Sequence, residues 1–542
     1  MPQALDEISV MIVDSQPSMR SQLRAMLGIC GITNIALSVS AGAAIRKLRE
    51  STYDIILCEY HLGEGQDGQH LLEDLRNHQV IPLSTIFIMI TGESAYERVV
   101  SAVELAPNDY VLKPFSADIL LDRLAKALTK RDVFLPTYKR IEAGNLLDAI
   151  EVCKRDEVEN PAYLIDFLRL RAELYLATSQ TDLSQEIYQR VVEMRAVPWA
   201  KLGLAKTQYL QKRYDEAQEG FNGLIAENAN YMDAYDWLAR TREAMGELES
   251  AQETLQAAIR VSPHTTRRLR KLGEVSNELG DHTTAAKTMA EVVRKGKYSD
   301  FRDPEDHVQL IKAHLGQGDT KSASAAIHDL ERSMNGLPKT PLCKALSSAL
   351  VATKNGDTAA AAAALDEAAK HSPSDLGTST GLKKDLARVC IEHKRDDQAA
   401  GVIMDIMRHA ADDSAVEDIK NLLVDLGRPE LGEELATQIR GEVKNLMSEG
   451  AQLAAKGDYT GAVMQMRQAA TRLPGNTNVL FNAALALLKY IENVEWEASY
   501  AQEARNYIER VRKQDPGNER LKLLTNYFHA LLKKNGVRPG DL

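Results

Sequence analysis

The 542-residue sequence predicts a doubly wound α/β domain with a parallel sheet, followed by an all-α superhelix of helix pairs. Two observations lead to this prediction. In residues 1–130, short apolar runs alternate with amphipathic stretches, as in βα units whose strands are buried on both faces. After residue 131, small and apolar residues recur at intervals of 34, a period typical of stacked helical repeats. We predict a first domain over 1–130, a repeat array over 131–410, and an irregular helical segment with further repeats over 411–542.

The first domain contains five predicted strands and five predicted helices. The strands are the apolar runs at 8–13, 34–39, 54–58, 85–90 and 109–112. The helices are the amphipathic stretches near 17–27, 41–50, 67–78, 95–105 and 116–130. Open α/β sheets bind ligands at the carboxyl ends of their strands, so the polar residues that follow four of the runs are the candidate site. These residues are Asp14, Glu59, Thr91 and Lys113.

Four motifs in the right order make residues 1–130 resemble the receiver domain of bacterial two-component response regulators. They are Val13-Asp14, the run 54–59, Met89-Ile90-Thr91-Gly92-Glu93 and Tyr110-Val111-Leu112-Lys113-Pro114-Phe115. The resemblance implies a CheY-like, flavodoxin-like fold in which an aspartate takes a phosphoryl group from a histidine kinase. It also implies that acidic residues hold Mg²⁺ and that Thr91 and Lys113 bind the phosphoryl group. Tyr110 would then move together with the threonine on activation, although a half-buried strand aromatic without that role fits equally well.

The sequence departs from the receiver pattern at the residues that perform the chemistry. Glu59 stands at the acceptor position, Ser15 replaces the second acidic residue, and the loop 61–68 lacks the usual proline and is one residue longer. A glutamate places its oxygens about 1.5 Å further along than an aspartate. In-line transfer tolerates this poorly, because a misplacement of about 1 Å can cost roughly 10²-fold in rate. We therefore expect a weak or absent Mg²⁺ site at Asp14 and Glu59 and no other cofactor.

Three interpretations of Glu59 remain open. In the first, its carboxylate stands in for the phosphoryl group and pairs with Lys113 and Thr91 without a metal ion. In the second, the site is an inert remnant that is kept only for packing. In the third, Glu59 is a solvated loop carboxylate.

The second part of the chain resembles tetratricopeptide repeats. The 34-residue interval joins five small or apolar residues: Ala149, Leu183, Ala217, Ala251 and Ala285. Glycine followed by a polar residue marks the predicted turn of each helix pair, at Gly144, Gly246, Gly280, Gly318, Gly356 and Gly457. The register breaks near 411–440, and Gly427-Arg428-Pro429 is the predicted hinge.

The first helices of such repeats line a groove that binds an extended peptide or a partner helix. Alignment on the small residues places seven candidates for a protein-binding groove on that face. They are Trp199, Lys206, Tyr209, Asp236, Arg240, Arg267 and Arg270. Solvated surface is the alternative for each of them.

Composition excludes several classes of function. The net charge is −11 and no basic block occurs, which argues against a nucleic-acid partner. Five scattered cysteines favour buried thiols in a reducing compartment, and no apolar run is long enough to span a membrane, so we predict a cytoplasmic protein. Catalytic motifs are absent, so no enzyme is expected. We predict a signalling adaptor with a protein partner, and with a histidine kinase as a candidate target for inhibition. The alternative is a phosphorylatable regulator that switches partner binding.

Overall fold

The computed structural model describes residues 5–63, 67–92, 107–262, 265–297, 301–371, 373, 376–410, 413–515 and 519–537. The chain divides into two compact units. The first contains residues 1–176 and 181–317, and the second contains 177–180 and 318–542. The predicted helix near 95–105 lies outside the described residues. The predicted domain boundaries at 130 and 410 stay predictions.

The first unit begins with a five-stranded parallel sheet. Its strands are β1 (Ser9–Val13), β2 (Asn34–Ser38), β3 (Ile55–Glu59), β4 (Ile86–Gly92) and β5 (Asp109–Lys113), and their order is β2-β1-β3-β4-β5. All four neighbouring pairs are parallel. This confirms the predicted doubly wound sheet of the CheY-like class.

Helices cover both faces of this sheet, which is why its strands are apolar on both sides. The first three are α1 (Pro17–Ile29), α2 (Ala41–Glu50) and α3 (Gly68–Asn77). One core cluster joins the sheet to α1 and to the helix after β5, through residues such as Leu23 and Leu124. A second cluster joins the opposite face to α2 and α3, through residues such as Ile45 and Leu71.

A single helix connects the sheet domain to the repeats. Helix α4 (Ala117–Glu142) is 26 residues long and contains Pro136 in its interior, so the predicted end near residue 130 is wrong. Near its middle, the buried Arg131 donates to Asp54 Oδ1 over 3.1 Å. Asp54 Oδ2 accepts hydrogen bonds from the backbone N–H and the hydroxyl of Ser9. This network ties the amino edge of the sheet to the connecting helix.

The repeats of the first unit follow without an intervening linker. Their helices are α5 (Leu146–Glu159), α6 (Leu164–Ala177), α7 (Thr181–Met194), α8 (Pro198–Leu210), α9 (Tyr214–Glu227), α10 (Met232–Ala244), α11 (Leu248–Val261), α12 (Thr266–Glu278), α13 (His282–Gly296) and α14 (Glu305–Gly316). Phe134 of α4 is buried and stacks on Phe167 of α6 at a centroid distance of 4.3 Å. Phe134 therefore forms an apolar joint between α4 and the first repeats, and the adjacent Leu135 is half-buried.

The second unit is also helical. Its helices are α15 (Thr320–Ser333), α16 (Thr340–Lys354), α17 (Thr358–Ala368), α18 (Thr380–Glu392), α19 (Asp396–Arg408), α20 (Asp413–Asp425), α21 (Pro429–Ala455), α22 (Tyr459–Arg472), α23 (Thr477–Asn493), α24 (Ala498–Gln514) and α25 (Glu519–Lys534). The predicted hinge lies between α20 and α21, and α21 then continues for 27 residues. No helix among the described residues is long and apolar enough to cross a membrane.

The turns within the helix pairs share one backbone conformation. All six glycines predicted at these turns have φ between 72° and 81°, the left-handed region that glycine adopts without steric cost. Ser179, Lys212 and Lys394 adopt positive φ at the equivalent turns that lack glycine. Four of the five cysteines are buried, as predicted, and Cys30 is half-buried.

Candidate functional site

The four polar residues predicted from the strand ends meet at one edge of the sheet. Val13, which precedes Asp14, pairs in register with Cys58, which precedes Glu59. Glu59 pairs with Ile90, next to Thr91, and Gly92 pairs with Lys113. The parallel register therefore brings together residues that are far apart in the sequence.

Glu59 and Lys113 form an ion pair at this edge. Lys113 Nζ contacts Glu59 Oε2, and Glu59 Oε1 accepts a hydrogen bond of 3.2 Å from the backbone N–H of His61. The Glu59 side chain is 10% exposed and that of Lys113 is 25% exposed. Both carboxylate oxygens are thus engaged, and the glutamate does not extend into solvent as the loop-carboxylate interpretation requires.

Asp14 lies beside this pair and is almost fully buried. Its Oδ1 accepts from the backbone N–H of Gln16 over 2.7 Å, whereas its buried Oδ2 has no hydrogen-bond partner among the described residues. Burial raises the pKa of the Asp14 carboxyl, and the hydrogen bond from Gln16 opposes that shift. The charge of Lys113 also lowers this pKa, and the charge of Glu59 raises it. The charges of both members of the ion pair therefore influence the pKa of Asp14.

Thr91 and Tyr110 lie near the pair on β4 and β5. Thr91 is fully buried, and its hydroxyl donates to the carbonyl oxygen of Gly92 over 3.3 Å. The expected hydrogen bond between Thr91 and Glu59 is not found among the described residues. Tyr110 is half-buried against the core cluster on the α3 side of the sheet. Among the described residues, Thr91 thus takes no part in the ion pair of Glu59 with Lys113.

The residues at this edge do not fit a magnesium ion well. Mg²⁺ requires several oxygen ligands in near-octahedral geometry. Glu59 already neutralises Lys113, Ser15 is exposed, and Asp14 offers one unpartnered carboxylate oxygen. Within the described part of the chain, no group of three or more metal-ligating side chains is found. Ser15 thus removes one of the three expected carboxylates, and Lys113 engages the displaced carboxylate of Glu59.

Sequence reasoning did not identify Gly68 as part of this edge. A Cβ atom at Gly68 would lie 2.5 Å from the carbonyl oxygen of Glu59 and 2.9 Å from Met89 Sδ. Asp67 caps the same helix by accepting from the backbone N–H of His70 over 2.9 Å. The start of α3 can therefore approach the end of β3 closely. The Asp67-Gly68 dipeptide, a capping residue followed by glycine, was the sequence feature that could have indicated this close approach.

The predicted groove residues lie on the first helices of three successive pairs. Lys206 Nζ and the Arg240 guanidinium lie over the ring of Trp237, at 5.0 and 4.5 Å from its centroid. Tyr209 meets the same indole edge-on at 5.4 Å. Trp199 lies apart from this cluster and packs edge-on against Tyr188. Trp237, which the sequence prediction missed, is thus the centre of the aromatic part of the groove.

Two groove residues are held by ion pairs within the repeats. Arg268 donates to both carboxylate oxygens of Asp236, at 2.6 and 2.8 Å. Arg270 donates to both oxygens of Asp306, at 2.5 and 2.8 Å. Arg267 is half-exposed and lies 3.5 Å from Asp236. Asp236, Arg240, Arg267 and Arg270 nevertheless line one cavity of about 180 Å³.

Comparisons with protein families agree with both parts of the fold. Residues 10–125 match the response regulator receiver domain. Residues 238–300 and 352–423 match tetratricopeptide repeats. The chain therefore combines a response regulator receiver domain with tetratricopeptide repeats, as the sequence predicted. This combination indicates a two-component signalling protein with a region for protein–protein interaction.

Two curated relatives resemble this chain over a length close to that of the receiver domain. The transcriptional regulatory protein ZraR of Escherichia coli (strain K12) is 33% identical over 123 residues, which are 23% of this chain and 27% of that protein. ZraR of Salmonella typhimurium is 34% identical over 122 residues, 22% of this chain and 26% of that protein. This chain thus spans about a quarter of the length of these relatives.

Similar solved structures cover different parts of the chain. A tetratricopeptide repeat protein from Parabacteroides merdae is 13% identical, covers 47% of this chain and 96% of its own, and has a TM-score of 0.32. NtrX from Brucella abortus is 24% identical, covers 23% of this chain and 28% of its own, and has a TM-score of 0.21.

Proposed function

We propose that this protein is a two-component signalling adaptor whose receiver works without accepting a phosphoryl group and whose repeats bind a protein partner. The contact between Lys113 and Glu59 carries this proposal. In a receiver, the conserved lysine is the cation that meets the incoming phosphoryl group. Here that cation already has a carboxylate partner that belongs to the chain itself. Glu59 thus supplies a permanent negative charge at the position where other receivers gain one only when they are phosphorylated.

The geometry also disfavours transfer to Glu59. Its Oε2 is neutralised by Lys113 and its Oε1 accepts from the backbone N–H of His61, so attack on a phosphoryl group by either oxygen would disturb one of these contacts. An in-line phosphoryl transfer depends on positioning and on charge stabilisation by metal ions. Of the three expected ligand carboxylates, the one at position 15 is lost and that of Glu59 is displaced and paired with Lys113, which supports a receiver with weak affinity for Mg²⁺. We infer that the protein is not an enzyme and acts through binding.

Incubation with acetyl phosphate and Mg²⁺, followed by intact-mass spectrometry, tests this proposal. We expect no phosphoryl adduct on the wild-type protein. In the double variant Glu59→Asp/Ser15→Asp, Ser15→Asp adds the missing carboxylate and Glu59→Asp shortens the acceptor side chain, so this variant should accept at least some phosphoryl groups. It therefore shows that the assay detects a competent receiver. A stable, Mg²⁺-dependent adduct on the wild-type receiver would instead favour a phosphorylatable regulator that switches partner binding.

A histidine kinase is a second partner that we propose for the receiver. The outer face of α1 is exposed, including Ile29, which is 80% exposed at the end of the helix. Helix α1 starts directly beside the site, where Arg20 donates to the carbonyl oxygen of Asp14 over 2.6 Å. A kinase that docks on this face would meet a receiver that does not take the phosphoryl group. The protein would then inhibit transfer to other regulators.

Titration of the protein into a reconstituted histidine kinase and its cognate receiver tests this inhibition. We expect slower transfer to the cognate receiver as the concentration of this protein rises. Ile29→Glu should weaken the effect, whereas Leu523→Glu is a matched control because Leu523 is 72% exposed on the second unit. Unchanged transfer at every ratio would remove the kinase from the proposal and leave the adaptor function intact.

A further inference from the structure

Helix α3 of the receiver lies against the repeats of the same compact unit. One cavity of about 250 Å³ is lined from both sides. The receiver contributes Glu73, Asp74 and His78, and the repeats contribute Arg267, Arg270 and Phe301. Arg267 and Arg270 also line the neighbouring groove cavity with Asp236 and Arg240. The receiver therefore reaches the groove that the sequence predicts for an external partner.

An aromatic contact fastens α3 to the repeats. The imidazole of His78, directly after α3, stacks on the ring of Phe301 with a centroid distance of 3.7 Å and an interplanar angle of 2°. The guanidinium of Arg49 lies 5.5 Å from the centroid of the same ring. Phe301 also packs against the core cluster that α2 and α3 form with the sheet. Phe301 lies in the connection between α13 and α14. A side chain of the repeats therefore packs on the surface of the receiver.

The charges across this cavity are complementary. The receiver side carries the carboxylates of Glu73 and Asp74, and the repeat side carries Arg267, Arg270 and Lys295. Burial raises the pKa of Glu73, and the positive charge of Arg268 is among the influences that lower it. The charge of an arginine of the repeats is thus close enough to influence the pKa of a carboxyl group of the receiver. Opposite charges in such an arrangement fix the register of an interface and select its partner.

We propose that α3 is an intramolecular ligand of the groove and that the external partner is an acidic amphipathic helix that displaces it. The displacing helix would carry adjacent carboxylates that face the cations of this cavity and, about one turn later, a ring for Phe301. In the receiver, Glu73 and Asp74 line the same cavity and His78 stacks on Phe301. This proposal rests on the proposed binding of a protein partner by the repeats. Partner binding and receiver docking are then mutually exclusive, which couples the receiver to the repeats.

A labelled peptide with the sequence of residues 67–80 is the probe, and fluorescence anisotropy with the full-length protein is the measurement. In the wild-type protein, the tethered α3 competes with the peptide. Glu73→Lys/Asp74→Lys on the receiver should release the groove and tighten peptide binding by about tenfold or more. His78→Ala, a milder change that removes the stacked ring, should act in the same direction. Asp118→Lys/Asp122→Lys is the matched control, because it reverses two exposed carboxylates on α4 and should leave affinity unchanged.

A change in the groove completes the test. Arg267→Glu, added to Glu73→Lys/Asp74→Lys, should weaken peptide binding by about tenfold or more. Hydrogen exchange in α3 of the wild-type protein should rise when the peptide is in excess. Equal peptide affinity in the wild type and both receiver variants, or no loss with Arg267→Glu, would overturn the competition. The acetyl phosphate experiment is independent of this outcome, so failure here would leave the phosphoryl-independent receiver standing.

Discussion

Removal of the lysine from the buried ion pair should destabilise the receiver far more than removal of the glutamate charge. Lys113→Met leaves the buried residues Glu59 and Asp14 at one edge without their common cation. Loss of one partner of a fully buried pair costs about 3–5 kcal/mol. Because the Lys113 side chain is 25% exposed, we reduce the expected cost to about 2 kcal/mol. Glu59→Gln should cost less than about 1 kcal/mol, because it leaves a partly exposed ammonium that still faces Asp14.

Hydrogen exchange of the full-length protein provides the assay. A loss of about 2 kcal/mol corresponds to roughly 30-fold faster exchange in β3 and β5. Lys126→Met is a matched control, because Lys126 is 72% exposed and its pair with Asp122 contributes little. If Lys113→Met changes exchange no more than Lys126→Met does, the Glu59–Lys113 pair does not stabilise the receiver and the reasoning is refuted.

Three further predictions concern Asp14, the joint and the repeat packing. Asp14→Asn should stabilise the receiver at neutral pH, because burial raises the pKa of Asp14 and so penalises its ionised form. The gain in stability should disappear as the pH falls below the ordinary pKa range of a carboxyl group. A pH-independent effect on hydrogen exchange would contradict this prediction. Phe134→Ala should cost about 3–5 kcal/mol in local stability, with faster exchange in α4 and α6 as the readout; unchanged exchange there would show that the joint does not depend on this ring. Gly203→Ala should cost about 1–3 kcal/mol in urea unfolding, because the new Cβ would lie 2.3 Å from the Tyr188 ring. Gly223→Ala, which has open space around it, is the control and should be neutral or stabilising.

The geometry of the receiver edge could be predicted from local patterns. Parallel strands align their carboxyl ends, so Asp14, Glu59, Thr91 and Lys113 had to meet once five βα units were recognised. The 34-residue spacing and the turn glycines likewise indicated the helix pairs. The contact of Glu59 with Lys113 followed from opposite charges at one edge.

Contacts between distant elements could not be predicted in the same way. The stacking of His78 on Phe301 depends on how α3 packs against the repeats. The periodicity of apolar residues in the sequence does not give the position of one element relative to a distant one. Asp236 forms a bidentate pair with Arg268 and not with the neighbouring Arg267, which the sequence predicted for the groove. The exact rotation of α12 about its axis decides which of the two arginines faces inward, and the sequence does not give that rotation. Helix α4 continues through Pro136, although proline commonly ends or kinks a helix.

The most direct test of the central claim is the response of the receiver edge to trifluoroberyllate, a mimic of the phosphoryl group, in the presence of Mg²⁺. Hydrogen exchange in β3 and β5 of the wild-type protein should not change, because Glu59 already neutralises Lys113. The Glu59→Asp/Ser15→Asp variant should gain protection in the same strands. Saturable protection of the wild-type strands by trifluoroberyllate and Mg²⁺ would contradict the claim that Glu59 occupies the phosphoryl position.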